Sequence, residues 1–219
     1  MATLIPDAFH ALLIETLTDE KNPSYGQVAT VDEKGKPQIR TVHLRYLKEG
    51  NQIAFAANTK SPKWRQLSQK PFLSGCLYDP HRFIQFRWES DVKLLGGKSG
   101  AEVQTIRKKL WQLVRSDVRS AYWLDHKGFP VEKLSGSSLD PRRTRLGRKV
   151  LEVVGKRILR EPCPTFGSVL FTPHLWDIME IDPKDYRKDR RTLHRLVGSV
   201  WKSRKISVLH SKDLGPFTF

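Results

Sequence analysis

Residues 38–47 read as a β-strand that carries hydrogen-bond donors on both of its faces. Arg40 is at an even position of this strand, and His43 and Arg45 are at odd positions. Because successive side chains of a strand point to opposite faces, cationic groups on both faces indicate either a sheet edge or an anion site. An arginine of such a strand, combined with a Ser and Lys cluster at the start of a helix, is chemically suited to hold a phosphate ester.

A second group of donors follows at residues 58–63, where the sequence reads Asn-Thr-Lys-Ser-Pro-Lys. Ser61 suits the N-cap of a short helix, and Pro62 suits its first turn. The N–H groups and the dipole of a helix N-terminus attract phosphate, and Lys63 adds a positive charge. The alternative, that Ser61 is only a helix cap, stays open on this evidence.

The elements that must position these donors follow from hydrophobic periodicity. Helices are predicted at 6–18, 63–69, 99–115 and 148–159, and a loop is predicted at 127–147. Strands are predicted at 27–32, 38–47, 52–57, 72–78, 83–90, 167–171, 175–181, 192–197 and 201–209. The predicted fold class is mainly β, a six- to eight-stranded antiparallel barrel with flanking helices. We predict a single domain over 1–219, with barrel strands at about 27–95 and 167–209 and a helical insertion at about 99–160.

The charge of the chain predicts an anionic partner. Lys and Arg number 39 against 23 Asp and Glu, which gives a formal net charge of +16. The basic groups concentrate at 142–160 and 184–205, and such segments attract polyanions or phosphorylated small molecules. Residues 142–160 contain no aromatic side chain, whereas nucleic-acid binding typically uses aromatic residues among the basic ones. Nucleic acid is therefore an alternative partner and not the favoured one.

Other classes of protein lack support. No apolar run is long enough for a membrane span, and the N-terminus lacks the basic region of a signal peptide, so we expect a cytoplasmic protein. The two cysteines, Cys76 and Cys163, provide no disulfide framework, and no His or Cys spacing predicts a metal site. Motifs of covalent hydrolases and of nucleotide hydrolases are absent from the sequence.

The order of these segments resembles the pyridoxamine 5′-phosphate oxidase-like, FMN-binding split-barrel family, and most of all its divergent cyanobacterial and plant branch. The resemblance is carried by RTVHLR at 40–45, ANTKSPKWRQL at 57–67, FIQFRWES at 83–90 and RKDRRTLHRL at 187–196. It implies a split β-barrel that binds FMN. It also implies a homodimer with FMN at the subunit interface.

The resemblance also implies the roles of individual residues. Arg40 and Lys63, with the hydroxyl of Ser61, would hold the FMN phosphate, and Arg187 and Arg190 would bind an anionic substrate. The residues that the resemblance places at the cofactor are Arg40, Thr41, Val42, His43, Arg45, Ala57, Asn58, Ser61, Lys63, Gln85 and Arg191.

Two departures from the family pattern bear on the function. Pro62 replaces one basic residue of the phosphate-holding pair, and Asp189 stands where the true oxidases carry a substrate-binding His. The resemblance therefore implies a protein that binds FMN. The activity it implies is that of an FMN-dependent oxidoreductase acting on a small substrate, and phosphorylated compounds are among the candidate substrates. The alternatives are a non-catalytic flavin-binding protein and a basic barrel that binds nucleic acid. Neither the substrate nor a catalytic residue is assigned.

Overall fold

The computed structural model describes residues 5–19, 24–48, 51–97, 100–126 and 160–208. Its helices are α1 (Asp7–Thr18), α2 (Pro62–Gln69), α3 (Ala101–Leu113) and α4 (Ser116–His126), and a 3₁₀ turn is formed by Tyr186–Lys188. Its strands are β1 (Tyr25–Val31), β2 (Pro37–Leu47), β3 (Gln52–Asn58), β4 (Phe72–Asp79), β5 (Ile84–Leu95), β6 (Phe166–Glu180), β7 (Arg190–Val197) and β8 (Val200–Ile206). No helix in these ranges is long and apolar enough to cross a membrane.

The strands form an antiparallel split barrel with flanking helices, which confirms the predicted fold class. Their hydrogen-bonded order is β3-β2-β1-β4-β5-β6-β7-β8, and β3 also pairs with β6. This extra pairing closes the first six strands of the chain into the barrel, and β7 and β8 extend the sheet beyond it. The chain divides into two compact units, Met1–Ile53 with Gln69–Lys93 and Phe171–Phe219, and Ala54–Ser68 with Leu94–Leu170.

The first unit has an aromatic core beneath helix α1. The ring of Phe9 lies 5.3 Å from the ring of Trp176, 6.1 Å from that of Phe86 and 5.0 Å from that of His194. Trp88 packs on Trp176 at 5.7 Å between ring centroids. Aromatic burial of this extent dominates the energetics of a small core, so the packing of α1 fixes one face of this sheet.

Polar contacts join α1 to the end of β4. The buried carboxylate of Asp79 accepts hydrogen bonds from Thr16 Oγ1 at 2.8 Å and from the guanidinium of Arg82 at 2.8 Å. Arg82 also forms an ion pair with Glu15 at 2.5 Å. Burial raises the pKa of Asp79, but the hydrogen bonds from Arg82 and Thr16 outweigh it and leave the pKa lowered.

The second unit is held together by a buried arginine. Arg107 of α3 donates to the carbonyl oxygen of Phe166 at 2.6 Å and to that of Cys163 at 3.2 Å. In the same unit the rings of Trp111, Tyr122 and Phe166 pack edge to face on one another, with centroids 4.8 to 5.9 Å apart. Because an unpaired buried cation is costly, these carbonyl contacts explain how α3 tolerates a charge in its buried face.

Two predicted elements differ from those observed. The two strands predicted at 167–171 and 175–181 are one continuous strand, β6, because Pro173 can occupy an extended strand and forfeits only its own ladder bond. The helix predicted at 99–115 ends at Leu113, and α4 follows it as a helix that the sequence reasoning missed. The predicted loop at 127–147 and helix at 148–159 lie outside the described residues.

The buried His194 makes the stability of the first unit depend on pH. Burial lowers the pKa of His194, so the unfolded chain takes up a proton that the folded chain resists. Unfolding in urea is therefore expected to become easier as the pH falls from about 7.5 to about 5. His194→Gln should flatten this dependence. His81→Gln, which replaces an exposed histidine, should keep the wild-type slope, and equal slopes for both variants would contradict the assignment.

Gly167 of β6 is expected to be intolerant of any side chain. A Cβ atom there would lie 2.2 Å from the indole of Trp64, whereas one at Gly96 would lie 3.6 Å from the same ring. Gly167→Ala should lower the free energy of unfolding by about 1–3 kcal/mol through overpacking. Gly96→Ala is the matched control and should change it by less than about 0.5 kcal/mol. Equal effects of the two substitutions in thermal unfolding would refute this packing argument.

Candidate functional site

Strand β2 separates its predicted cofactor residues between two faces. Val42 is buried at 6% exposure, so its side chain belongs to the core of the first unit. Arg40 lies on the same face and donates to Thr30 Oγ1 at 2.5 Å. Thr41 and His43 point to the opposite, outer face. Burial lowers the pKa of Arg40, which nevertheless stays a cation because arginine starts so far above neutral pH.

The outer face carries a row of polar side chains that crosses four strands. Thr41 is paired with Gln27, Gln27 with Cys76, and Cys76 with Arg87. Directly paired residues of antiparallel strands point to the same side of a sheet. The row therefore places Thr41 of β2 and Arg87 of β5 on one surface, and Gln85 lies on that surface as well, two residues before Arg87.

The row continues through a buried carboxylate into strands β6 and β7. Asp177 is only 6% exposed. Arg191 donates to it from Nε at 2.8 Å and from Nη2 at 2.7 Å, and Arg87 forms an ion pair with it at 3.3 Å. Hydrogen bonding to Asp177 raises the pKa of Arg191. The predicted flavin residue Arg191 is thus anchored on the same face as Thr41 and Gln85.

Aromatic side chains lie beside this row. The rings of Tyr25 and His43 are 4.8 Å apart between centroids, and Tyr78 is paired with Gln85. Tyr25 and Tyr78 line a cavity of about 320 Å³. Arg45, near Tyr25, donates to the carbonyl oxygen of Leu44 at 3.3 Å. Burial lowers the pKa of Arg45, and Tyr25 partly offsets the effect.

The two predicted substrate arginines are already paired with carboxylates. Arg187 donates to Asp185 at 2.8 Å, and both side chains belong to the exposed turn before β7. Arg190 forms an ion pair with Glu180 at 2.5 Å. Glu180 is paired with Arg190 across the β6–β7 ladder, whereas Met179 is paired with Arg191. Arg190 therefore lies on the face opposite to Arg191, and the structure does not bring the two together.

In the second unit, the predicted phosphate turn is built by Asn58 and Ser61. Asn58 Oδ1 accepts from the backbone N–H of Lys60 at 2.8 Å, and its amide donates to Asp125 at 3.1 Å. The backbone N–H of Trp64 lies 3.1 Å from the carbonyl oxygen and 3.4 Å from the hydroxyl of Ser61. Ser61 therefore caps α2, which agrees with its interpretation as the N-cap of this helix.

The chemistry of this turn fits a phosphate group. The first turn of α2 contains no acidic residue, so no carboxylate of that turn occupies the positive end of the helix dipole. Lys63 lies in the same turn and supplies a cation. Ala57, at 1% exposure, is paired with Gly167 in the β3–β6 ladder, so its methyl group is not accessible to a ligand.

Two residues of the outer face were missed by the sequence reasoning. Arg87 follows Gln85 by two positions, and strand alternation alone would have placed both on one face. Asp177 is a lone carboxylate in the apolar run of β6, and a buried charge of this kind needs a partner. Its partner could not be identified from the sequence, because the pairing of β6 with β7 comes only from the fold. The described residues contain no cluster of three or more metal-ligating side chains.

Part of this chain is similar in sequence to known proteins. Residues 6–96 match the family model described as pyridoxamine 5′-phosphate oxidase, FMN-binding domain. A pyridoxine/pyridoxamine 5′-phosphate oxidase of Legionella pneumophila is 36% identical over 85 residues, which are 38% of this chain and 39% of that protein. The pyridoxine/pyridoxamine 5′-phosphate oxidase 2 of Arabidopsis thaliana is 27% identical over 133 residues, which are 58% of this chain and 67% of that protein. The chain therefore aligns with well under half the length of the bacterial relative.

Solved structures share the fold over a larger part of the chain. A pyridoxamine 5′-phosphate oxidase-related, FMN-binding protein of Nostoc punctiforme has a TM-score of 0.69 at 24% identity, covering 93% of this chain and 99% of that chain. PhzG of Burkholderia lata, solved with tetrahydrophenazine-1-carboxylic acid, has a TM-score of 0.62 at 18% identity, covering 84% of this chain and 82% of that chain.

These findings confirm the resemblance drawn from the sequence. By fold, the protein is a split barrel. By sequence, residues 6–96 match the model of the FMN-binding domain of the pyridoxamine 5′-phosphate oxidases, and the Nostoc neighbour has the same fold.

The buried ion pair at Asp177 is expected to contribute strongly to stability. Asp177→Asn would leave two guanidinium groups close together without their shared anion, so the free energy of unfolding should fall by about 2–4 kcal/mol. The matched control is Glu180→Gln, which breaks the exposed pair with Arg190 and should cost less than about 1 kcal/mol. Urea unfolding of both variants measures the difference, and an equal loss would show that burial of Asp177 is not decisive.

Proposed function

We propose that this protein binds FMN and is a flavin-dependent oxidoreductase of a small substrate. The observation that carries the proposal is the family match over residues 6–96, which contains both β2 and the phosphate turn of α2. The polar outer face of the first unit supports it, because donors aimed at one surface are what a flavin ring requires.

Each group of residues has a separate task in this proposal. Arg40, Ser61 and Lys63 hold the phosphate of FMN, with Asn58 and Ala57 shaping the turn. The rest of the cofactor is contacted by Thr41, Val42, His43, Arg45, Gln85 and Arg191. Of these, Val42 contributes through its backbone. When bound, FMN supplies two-electron transfer. Arg187 and Arg190 are exposed and bind the anionic substrate. To do so, each arginine must release the carboxylate with which it is paired in this structure.

The wider setting belongs to the same proposal. We infer that residues 1–219 act as one FMN-binding domain and that the protein is a homodimer with FMN at the subunit interface. We also infer that it acts in the cytoplasm. The similarity of the Nostoc structure over 93% of this chain supports the first inference, and the resemblance to a dimeric family supports the second. The third is supported by the cysteine content, since Cys76 and Cys163 form no disulfide with each other.

FMN binding is expected to depend on the two cations assigned to the phosphate. The full chain, mixed with FMN and passed through gel filtration, should retain about one flavin per chain in its absorption spectrum. Arg40→Ala and Lys63→Ala should each weaken FMN affinity about ten- to hundredfold, because a charge-assisted hydrogen bond to phosphate is lost. Lys63→Arg should restore most of the affinity.

Lys205→Ala is the control for these titrations, since it removes an exposed lysine of β8 that is paired with Thr192 and therefore lies on the face opposite to Arg191. Its FMN affinity should equal that of the wild type. A chain that retains no flavin, with all three variants indistinguishable from it, would overturn the proposal. Bound FMN that no reductant or small substrate reduces would restrict the function to flavin binding.

A further inference from the structure

Two tyrosines of the outer face lie at neighbouring positions of strands β1 and β4. Tyr25 lies two residues before Gln27, and Tyr78 lies two residues after Cys76, the partner of Gln27 in the β1–β4 ladder. Because every second residue of a strand points to the same face, both tyrosines belong to the outer face. They extend from the same end of this ladder.

Both tyrosine rings line a cavity and are open to a ligand. Tyr25 is 49% exposed and Tyr78 is 42% exposed, and the cavity has a volume of about 320 Å³. Small-molecule sites are typically cavities of about 300–1,000 Å³ that are lined by aromatic side chains. Since about 150 Å³ accommodates benzene, this cavity has room for one ring or for two fused rings.

The polar chemistry of the cavity suits an uncharged ligand. No charged side chain lines it, so no opposite charge is present to bind an ion. Its two buried hydroxyls are already used, since Thr16 donates to a carboxylate and Ser24 donates to backbone carbonyl oxygens. The hydroxyls of Tyr25 and Tyr78 and the amide of Gln27 are the polar groups left for a ligand, and they suit a small polar substituent on a ring.

The cavity lies between two residues that the proposed function assigns to FMN. His43 is paired with Tyr25, and Gln85 is paired with Tyr78. None of the residues assigned to FMN contributes to the lining of the cavity. A ligand in the cavity therefore lies beside the groups assigned to the flavin and does not use them.

We propose that this cavity binds the uncharged planar aromatic ring of a small substrate between Tyr25 and Tyr78. The two tyrosines are specificity-determining residues, because aromatic rings select a planar ring over a saturated one. The anionic group assigned to Arg187 and Arg190 stays outside the cavity, whose lining includes neither arginine. The inference rests on the proposed function in naming the ligand a substrate, whereas the binding itself does not require FMN.

The test uses 4-fluorophenol, a planar ring that is uncharged at neutral pH, and the saturated alcohol 4-fluorocyclohexanol as the ligand control. Fluorine NMR line broadening measures the affinity of the full chain for each probe, once without FMN and once with saturating FMN. The wild type should bind 4-fluorophenol at least about fivefold more tightly than the saturated alcohol under both conditions, because only the planar ring stacks on tyrosine.

Matched variants of strand β4 separate the cavity from the rest of the outer face. Tyr78→Leu removes the aromatic ring, keeps an apolar side chain and should weaken binding of 4-fluorophenol about three- to tenfold. Tyr78→Phe keeps the ring and should retain more of the affinity than Tyr78→Leu. Phe72→Leu removes another exposed ring from the same face of β4, about 20 Å away along the strand. It should leave the affinity within about twofold of the wild type.

The inference is overturned if 4-fluorophenol does not bind, if the saturated alcohol binds equally well, or if Tyr78→Leu and Phe72→Leu behave alike. Loss of probe binding on addition of FMN would show that the flavin itself occupies the cavity, and would also overturn it. The FMN affinity of Tyr78→Leu should stay within about twofold of the wild type, and a larger loss would assign Tyr78 to the cofactor and refute its role here. Failure of FMN to bind would contradict the proposed function alone, because the FMN-free titration then decides on the cavity.

Discussion

The register of the strand ladders in the first unit is the constraint on which the candidate site depends. In β1, β2, β4 and β5, one set of alternating side chains fills the aromatic core and the other set forms the polar row. A slip of one residue in any ladder would exchange the two faces of a strand. Burial of Val42 and Leu44 therefore determines that Thr41 and His43 face outward. The packing of apolar side chains thus positions polar side chains that are not themselves part of the core.

Electrostatics makes a second demand on the same sheet. A chain with a net charge of +16 must keep its cations from repelling one another wherever they come close. At β6 and β7 this is achieved by Asp177, a buried carboxylate that forms ion pairs with two arginines. The exposed pairs of Arg187 and Arg190 are of another kind, because solvent screens them and their partners can be exchanged at little cost. The structure thus separates fixed arginines from exchangeable ones.

Local sequence patterns were sufficient to predict most of the fold. Alternation predicted β2, and Ser61 with Pro62 predicted the start of α2, because both signals depend only on neighbouring residues. The division predicted between residues 171 and 175 was wrong, since β6 is continuous and tolerates Pro173 where one ladder bond can be spared. The ion pairs of Asp177 with Arg87 and Arg191 could not be predicted, because they join three strands and no single strand sequence shows which strands are paired. Arg107 is similar, since its acceptors are backbone carbonyls far along the chain.

The proposed FMN binding assigns cofactor contacts to two segments, strand β2 and the start of helix α2. Amide hydrogen exchange of the full chain, compared with and without FMN, tests it most directly, because exchange reports local protection independently of activity. Exchange should become slower on FMN addition in two separate segments, residues 40–45 and residues 57–67, and should stay unchanged in the exposed strand β8. Protection confined to one of these segments, or found only elsewhere, would contradict it.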